Sequence, residues 1–254
     1  MFETEGRVLE LAINELDLSA LLKGAGVQFS SKPLSTRCFL SIGSESEVSV
    51  ACARPFLLNN INFAVEGTPI LAGVDLDLVA DFTYQSGMGL LELHPAVLEK
   101  AGEKVLSLML QAQIVGGKDE RVIIDSKFST DLQRLCQQPF AKTYLLGDFN
   151  KDFVFNGTLE GIYDLESVFK VENFTLVGKL LEGAEANAVE VDLLQPLKIS
   201  FEALGYGLPH LIKSNEPFLK CSFNSFPLEV LNPFVPNYTF GGVLKQGALN
   251  ISER

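Results

Sequence analysis

Apolar and polar residues alternate along most of the chain. EGRVLELAI puts Leu9, Leu11 and Ile13 at every second position, and SEVSVACA does the same with Val48, Val50 and Cys52. ILAGVDLDLVADF sets Val74, Leu76 and Leu78 opposite Asp75 and Asp77. Phe153 and Phe155 form a shorter row. AVEVDLLQPLKISFEA gives Val189, Val191 and Leu193, breaks at Pro196, and resumes with Leu197, Ile199 and Phe201. A period of two is that of a strand with one buried face. Turn signals fall between such runs at Gly116-Gly117, Gly147-Asp148, Asn156-Gly157 and Gly241-Gly242.

Helical periodicity is rarer and brief. HPAVLEKAGEKVLSLML spaces Val97, Leu98, Ala101, Val105, Leu106 and Met109 as one helix face, with Pro95 suited to a first turn. Gly102 weakens it, because an interior glycine costs ~1 kcal/mol relative to alanine. NELDLSALLKGAG offers another short helix, ended by Gly24. The pattern therefore predicts helices at 16–24, 95–110 and 227–232 within a mainly β chain.

Segments also resemble one another. INELDLSALL, from Ile13 to Leu22, aligns without a gap on FNSFPLEVLN, from Phe223 to Asn232. KFSTDLQRLCQQPF keeps nearly the same beat through Phe128, Leu132, Leu135 and Pro139-Phe140. FNGTLEGIYDLES, EGTPILAGVDLDL and FGGVLKQGALNIS each pair an early turn glycine with a second glycine in the following strand. Each unit reads as a strand, a short helical turn stopped by Pro-Phe, and a glycine-assisted return. Approximate repeat units are 9–80, 122–180 and 220–254, and two unrelated units with common β chemistry are the alternative. Units laid side by side would build an elongated, curved antiparallel sheet with an open apolar groove and short helical inserts. The chain starts and stops inside this pattern, so residues 1–254 read as a segment of a larger repetitive β protein with exposed strand edges.

Composition narrows the partners. A formal net charge of −12 disfavours nucleic acid and anionic membrane surfaces. No apolar run is long enough to span a bilayer as a helix, and the opening MFETEGRV is no secretion signal. The chain has 19 Phe and no Trp. A ring without a polar handle suits a core or an apolar surface. Cys38, Cys52, Cys136 and Cys221 are far apart in sequence and fix no pairing, so buried free thiols are expected.

No local motif argues for chemistry. His94 and His210 each stand beside a proline and lack a spaced partner, and an ordinary helix-entry or loop role suits them. Asp75, Asp77 and Asp81 form a carboxylate row without the glycine and terminal Glu of a calcium loop. A solvent-facing acidic strand explains them better, as it does Glu190 and Asp192. GMGLLE from Gly87 lacks the third glycine of a dinucleotide fingerprint. No catalytic residue, cofactor or metal is expected.

SFPLEVLNPFVPNYTFGGVLKQGALNIS, Ser225 to Ser252, resembles a recurring segment of AsmA-like proteins, in which a short helix ending in Pro-Phe precedes a G-x-L-x-G strand. GTLEGIYDLE and INELDLSALL resemble it more weakly. The resemblance implies a relative of TamB-like and other bridge-like lipid transfer proteins in the periplasm or cell envelope. It further implies binding or conduction of phospholipid acyl chains between membranes, or support of outer-membrane assembly. The N-terminal membrane anchor of full-length members has no counterpart here. The groove candidates are Val48, Val50, Val74, Leu76, Leu78, Phe153, Phe155, Val189, Val191, Leu193, Leu197, Ile199 and Phe201. A structural or protein-interaction β module, pairing with further copies or with neighbouring segments, is the alternative.

Overall fold

Alternation becomes strand in nearly every place where it occurs. The computed structural model describes residues 7–19, 27–43, 47–52, 55–65, 67–116, 120–142, 153–164, 168–180, 188–200, 210–211, 216–234 and 239–252. They form strands β1 to β16, two short α-helices and one 3-10 helix, and every described pairing in the registers is antiparallel. The protein is mainly β. The chain divides into two units, Met1–Gln113 with Arg134–Tyr144, and Ile114–Gln133 with Leu145–Arg254.

The first unit holds β1 (Arg7–Leu16), β2 (Val27–Ser30), β3 (Leu34–Ile42), β4 (Val48–Cys52), β5 (Phe56–Val65), β6 (Thr68–Gln85), β7 (Met88–Lys100) and most of β8 (Glu103–Val115). Its strands run in the order β1-β3-β4-β6-β7-β8. The long β6 pairs along one side first with β5, through Leu78, and then with β4, from Asp81 onward. Strand β2 extends the sheet beyond β5.

The predicted helix at 95–110 is absent, and β7 and β8 stand in its place. Ala101 and Gly102, at φ of 54° and 78°, form the two-residue turn between them. Positive φ at both central positions is the backbone of a type I′ hairpin, whose twist matches its strands. Gly102 thus marks the reversal rather than weakening a helix. Two alternating strands joined by so short a turn imitate helical spacing. Pro95 fits because β7 gains a residue there: Asp77 faces Val97, but Val79 faces His94. A bulge tolerates the missing amide proton. His94 is accordingly a strand residue, not a helix-entry one.

The second unit contains β9 (Arg121–Asp131), β10 (Phe153–Asp164), β11 (Val168–Leu180), β12 (Val189–Leu193), β13 (Leu197–Ser200), β14 (His210–Leu211), β15 (Leu219–Pro227) and β16 (Val243–Ile251). The order is β9-β10-β11-β12-β15-β16, with β13 beside the other half of β11 and β14 beside β13. Asn156-Gly157, expected as a turn, lies inside β10, paired on both sides.

Strands β9 and β15 run directly into helical turns, α1 (Leu132–Cys136) and a 3-10 helix (Leu228–Phe234). Leu18 and Ser19 after β1 are also helical, while residues 20–24 of that predicted helix lie outside the described residues. The predicted helix at 227–232 is this 3-10 helix. After α1, Pro139-Phe140 opens α2 (Pro139–Lys142) instead of stopping a helix. Proline suits a first helical position because its missing N–H would be unpaired there anyway. Gln138, fully buried, anchors this insert: its Oε1 accepts the Ala72 N–H of β6 at 3.3 Å.

Candidate functional site

In the second unit, pairing sorts the side chains by polarity. On β10, Phe153, Phe155, Leu159 and Tyr163 share a face with Gly157 and Gly161. The register sets Phe128, Ser126 and Ile124 of β9 beside Gly157, Leu159 and Gly161. It sets Leu176, Phe174 and Val171 of β11 on the other flank of the same residues. Val189 and Val191 of β12 then face Gly178 and Leu176, and Phe223 and Cys221 of β15 face Val189 and Val191. Leu197 and Ile199 of β13 continue the face beside Val171 and Phe169. The reverse face carries Lys127, Thr158, Thr175, Asp192 and Lys220 in one row. Side chains directly opposite in an antiparallel pair lie on the same side of the sheet, so these rows are continuous surfaces.

Three strand glycines make room for aromatic rings within the apolar surface. A Cβ on Gly157 would strike the Phe128 ring and approach the Thr175 carbonyl oxygen to 2.9 Å. A Cβ on Gly161 would meet the Phe169 ring and the Lys170 carbonyl at 2.8 Å. On Gly178 it would meet Phe153, Phe155 and Val189. Glycine gives up strand stability, and the ring of a neighbouring strand covers the exposed backbone in return.

One end of this face is closed. Phe153 is fully buried, its ring 4.9 Å from that of Phe155 and 6.2 Å from that of Phe226. Phe223 and Phe226 stack edge-on at 5.3 Å, and Val230 of the 3-10 helix is buried. Ser225, at φ 50°, turns the backbone between the two rings. Away from that cluster, Phe128, Leu159, Phe174, Leu176, Val191 and Ile199 are half-buried. On β16, Leu249 and Ile251 continue the face and are 55% and 37% exposed.

The first unit is built likewise. Val48 and Val50 face Tyr84 and Phe82 of β6, which share their side of that strand with Val74, Leu76 and Leu78. Leu40 of β3 faces Val50, and Leu9 of β1 faces Leu40. Val74 is fully buried, while Val48, Val50, Leu76 and Leu78 are half-buried. Leu9 and Leu11 are 60% and 52% exposed.

The groove candidates thus fall on one apolar face within each unit. Phe153 and Val189 are packed away, and Phe155, Val191, Leu193, Leu197 and Ile199 are half-buried. Phe201 lies outside the described residues. The residues that alternation did not single out are Phe128, Leu159, Phe169, Phe174 and Leu176. For Phe128 and Phe169 the signal was the spacing of Gly157 and Gly161, whose missing side chains leave room for rings from adjoining strands.

The carboxylate row lies on the polar side of β6. Asp75 faces Glu99 and Asp81 faces Glu92. Asp75 accepts the Asn60 N–H at 2.7 Å, and Asp81 pairs with His94 Nε2 at 2.8 Å. Among the described residues, no group of three or more His, Cys, Asp or Glu is placed to hold a metal ion.

Comparison with known protein families, curated protein sequences and solved structures gives no match. No described helix is long and apolar enough to cross a membrane.

Proposed function

We propose that the apolar sheet face of the second unit binds acyl chains of phospholipids, in a non-enzymatic protein of the cell envelope akin to AsmA-like lipid carriers. One observation carries this reading: the register gathers half-buried Phe, Leu, Ile and Val side chains of β9 to β13 and β15 onto one face, while the reverse face carries a polar row through its middle. Such a surface offers no directional partners, and an acyl chain requires none. Covering apolar area stabilises by ~25 cal/mol per Å². The net charge of −12 resists adhesion to anionic headgroups, so the surface takes up single chains rather than lying on a bilayer.

A second reading, a β module that joins further strands, rests on the exposed Leu249 and Ile251 of β16 and Leu9 and Leu11 of β1. These belong to strands with one described neighbour each, β15 and β3. An unpaired strand edge with apolar side chains favours another chain.

Neighbouring residues on β11 separate the readings. Phe174 lies on the apolar face, and Asn173 faces Glu160 on the polar one. Phe174→Asp is expected to abolish photo-crosslinking to a diazirine-bearing phospholipid, while Asn173→Asp leaves it intact. Equal labelling of both variants, with no phospholipid retained in native mass spectrometry, overturns the acyl-chain reading.

A further inference from the structure

The hairpin of β3 and β4 places two thiols together. Cys38 and Cys52 are direct cross-strand partners, and their Sγ atoms are 3.4 Å apart. The loop between them is closed by a Gly43 N–H donating to the Glu47 carbonyl at 2.9 Å. Directly opposed residues of an antiparallel pair have Cα atoms about 4.5 or 5.5 Å apart, both within the span of a disulfide. Bonding needs the sulfurs to approach by about 1.4 Å more, which side-chain rotation supplies without moving either strand.

The other two cysteines have different surroundings. Cys221 stands opposite Val191 and Leu249. Cys136 is buried at the end of α1. All four are free thiols in this structure.

We infer that Cys38 and Cys52 are an oxidative modification site, at which a cross-strand disulfide forms and locks β3 onto β4. The oxidant is a small or protein disulfide. One thiolate of the pair attacks it, forming a mixed disulfide and expelling a thiolate. The second cysteine loses its proton, attacks the mixed disulfide and releases the other half of the oxidant. Two thiols lose two protons and two electrons in all, and the oxidant becomes two thiols. Burial, and then the hydrogen bond and charge of Cys38, push the Cys52 thiol up to about 11. Cys52 is therefore almost wholly protonated at neutral pH, and slow closure is expected.

The lock has a defined place. Cys38 faces Leu11 of β1 across the strand, so its side chain belongs to the apolar face of the first unit. Closure would hold β4 and β3 in register directly beside the exposed Leu9 and Leu11.

The test uses the full chain, reduced, freed of reductant and then held with oxidised glutathione under native conditions. Intact mass is expected to fall by two hydrogen atoms. Non-reducing peptide maps are expected to show one linked pair containing Cys38 and Cys52. Cys38→Ser and Cys52→Ser should each carry a stable glutathione adduct on the remaining thiol, since no resolving thiol is at hand. An unchanged mass, a stable adduct on the unaltered chain, or a linkage through Cys136 or Cys221 would each overturn the assignment.

Discussion

Phe128 of β9 lies across Gly157 of β10, and the ring occupies the space that any larger side chain at 157 would fill. The Thr175 carbonyl of β11 closes the other side. A ring can rotate away, but a ladder carbonyl cannot. Gly157→Ala is therefore expected to destabilise the protein by ~1–3 kcal/mol, the usual cost of overpacking. Phe128→Ala should recover part of that loss in the double variant. Urea unfolding of the four-member cycle measures the coupling, and strict additivity would show that ring and glycine do not share this space.

The turn between β7 and β8 gives a cleaner backbone test. Ala101 holds φ 54° with a Cβ that disfavours it, whereas Gly102 at φ 78° has none. The left-handed region costs an L-residue roughly 1–2 kcal/mol, less for Asn. Ala101→Asn should raise stability by about 0.5–1 kcal/mol, toward the Asn-Gly pair that such turns prefer. Gly102→Ala should lower it by about 1–2 kcal/mol. Thermal unfolding of both variants checks the signs, and a helix over 95–110 would reverse them.

That same segment shows what the chain discloses about itself. Alternation located β1, β4, β6, β10, β12 and β13 because a one-sided strand repeats every two residues whatever its neighbours. It failed over 95–110, where a two-residue turn joined two strands in phase with a helix. Asn156-Gly157 was misread because the glycine serves the Phe128 ring, a contact between strands. Candidate rows such as Val189, Val191 and Leu193 were legible strand by strand. Their joining into one face was not, since it depends on registers like Val189 against Phe223 across a long connection. Cys38 and Cys52 form a nearer case. Strands symmetric about the Gly43–Glu47 loop imply the pair, but only once that register is assigned.

Cys52 makes stability depend on alkaline pH. Its folded pKa of about 11 exceeds the ordinary 9.0, chiefly through burial. Between those values the folded state holds more protons than the unfolded one, so stability falls as pH rises. The contribution is whole below pH 9 and is lost through pH 11. Burial raises the Cys221 thiol too, so it adds to the same decline. Denaturation of the reduced chain is expected to show a shallower loss across this window in Cys52→Ser than in the parent. A slope unchanged by that substitution would place Cys52 in water.

If acyl chains lie along an open apolar face, affinity should follow the length of chain that the face covers. A fully buried methylene contributes ~0.8 kcal/mol, close to a fourfold change in Kd, and a half-covered one about twofold. Fatty acids of increasing length should therefore bind progressively more tightly, by roughly two- to fourfold per methylene. The face extends beyond the closed cluster at Phe153 through Leu176, Phe174 and Leu159, so no single length should mark an optimum within that reach. A cavity that encloses one ligand behaves otherwise, with affinity dropping once the chain outgrows it. Isothermal titration with a homologous series, each fatty acid held below its micelle concentration, distinguishes the two. Phe174→Asp should flatten the dependence by cutting the face in its middle. A sharp optimum that Phe174→Asp leaves in place would indicate a closed pocket elsewhere and remove the open face from the account of binding.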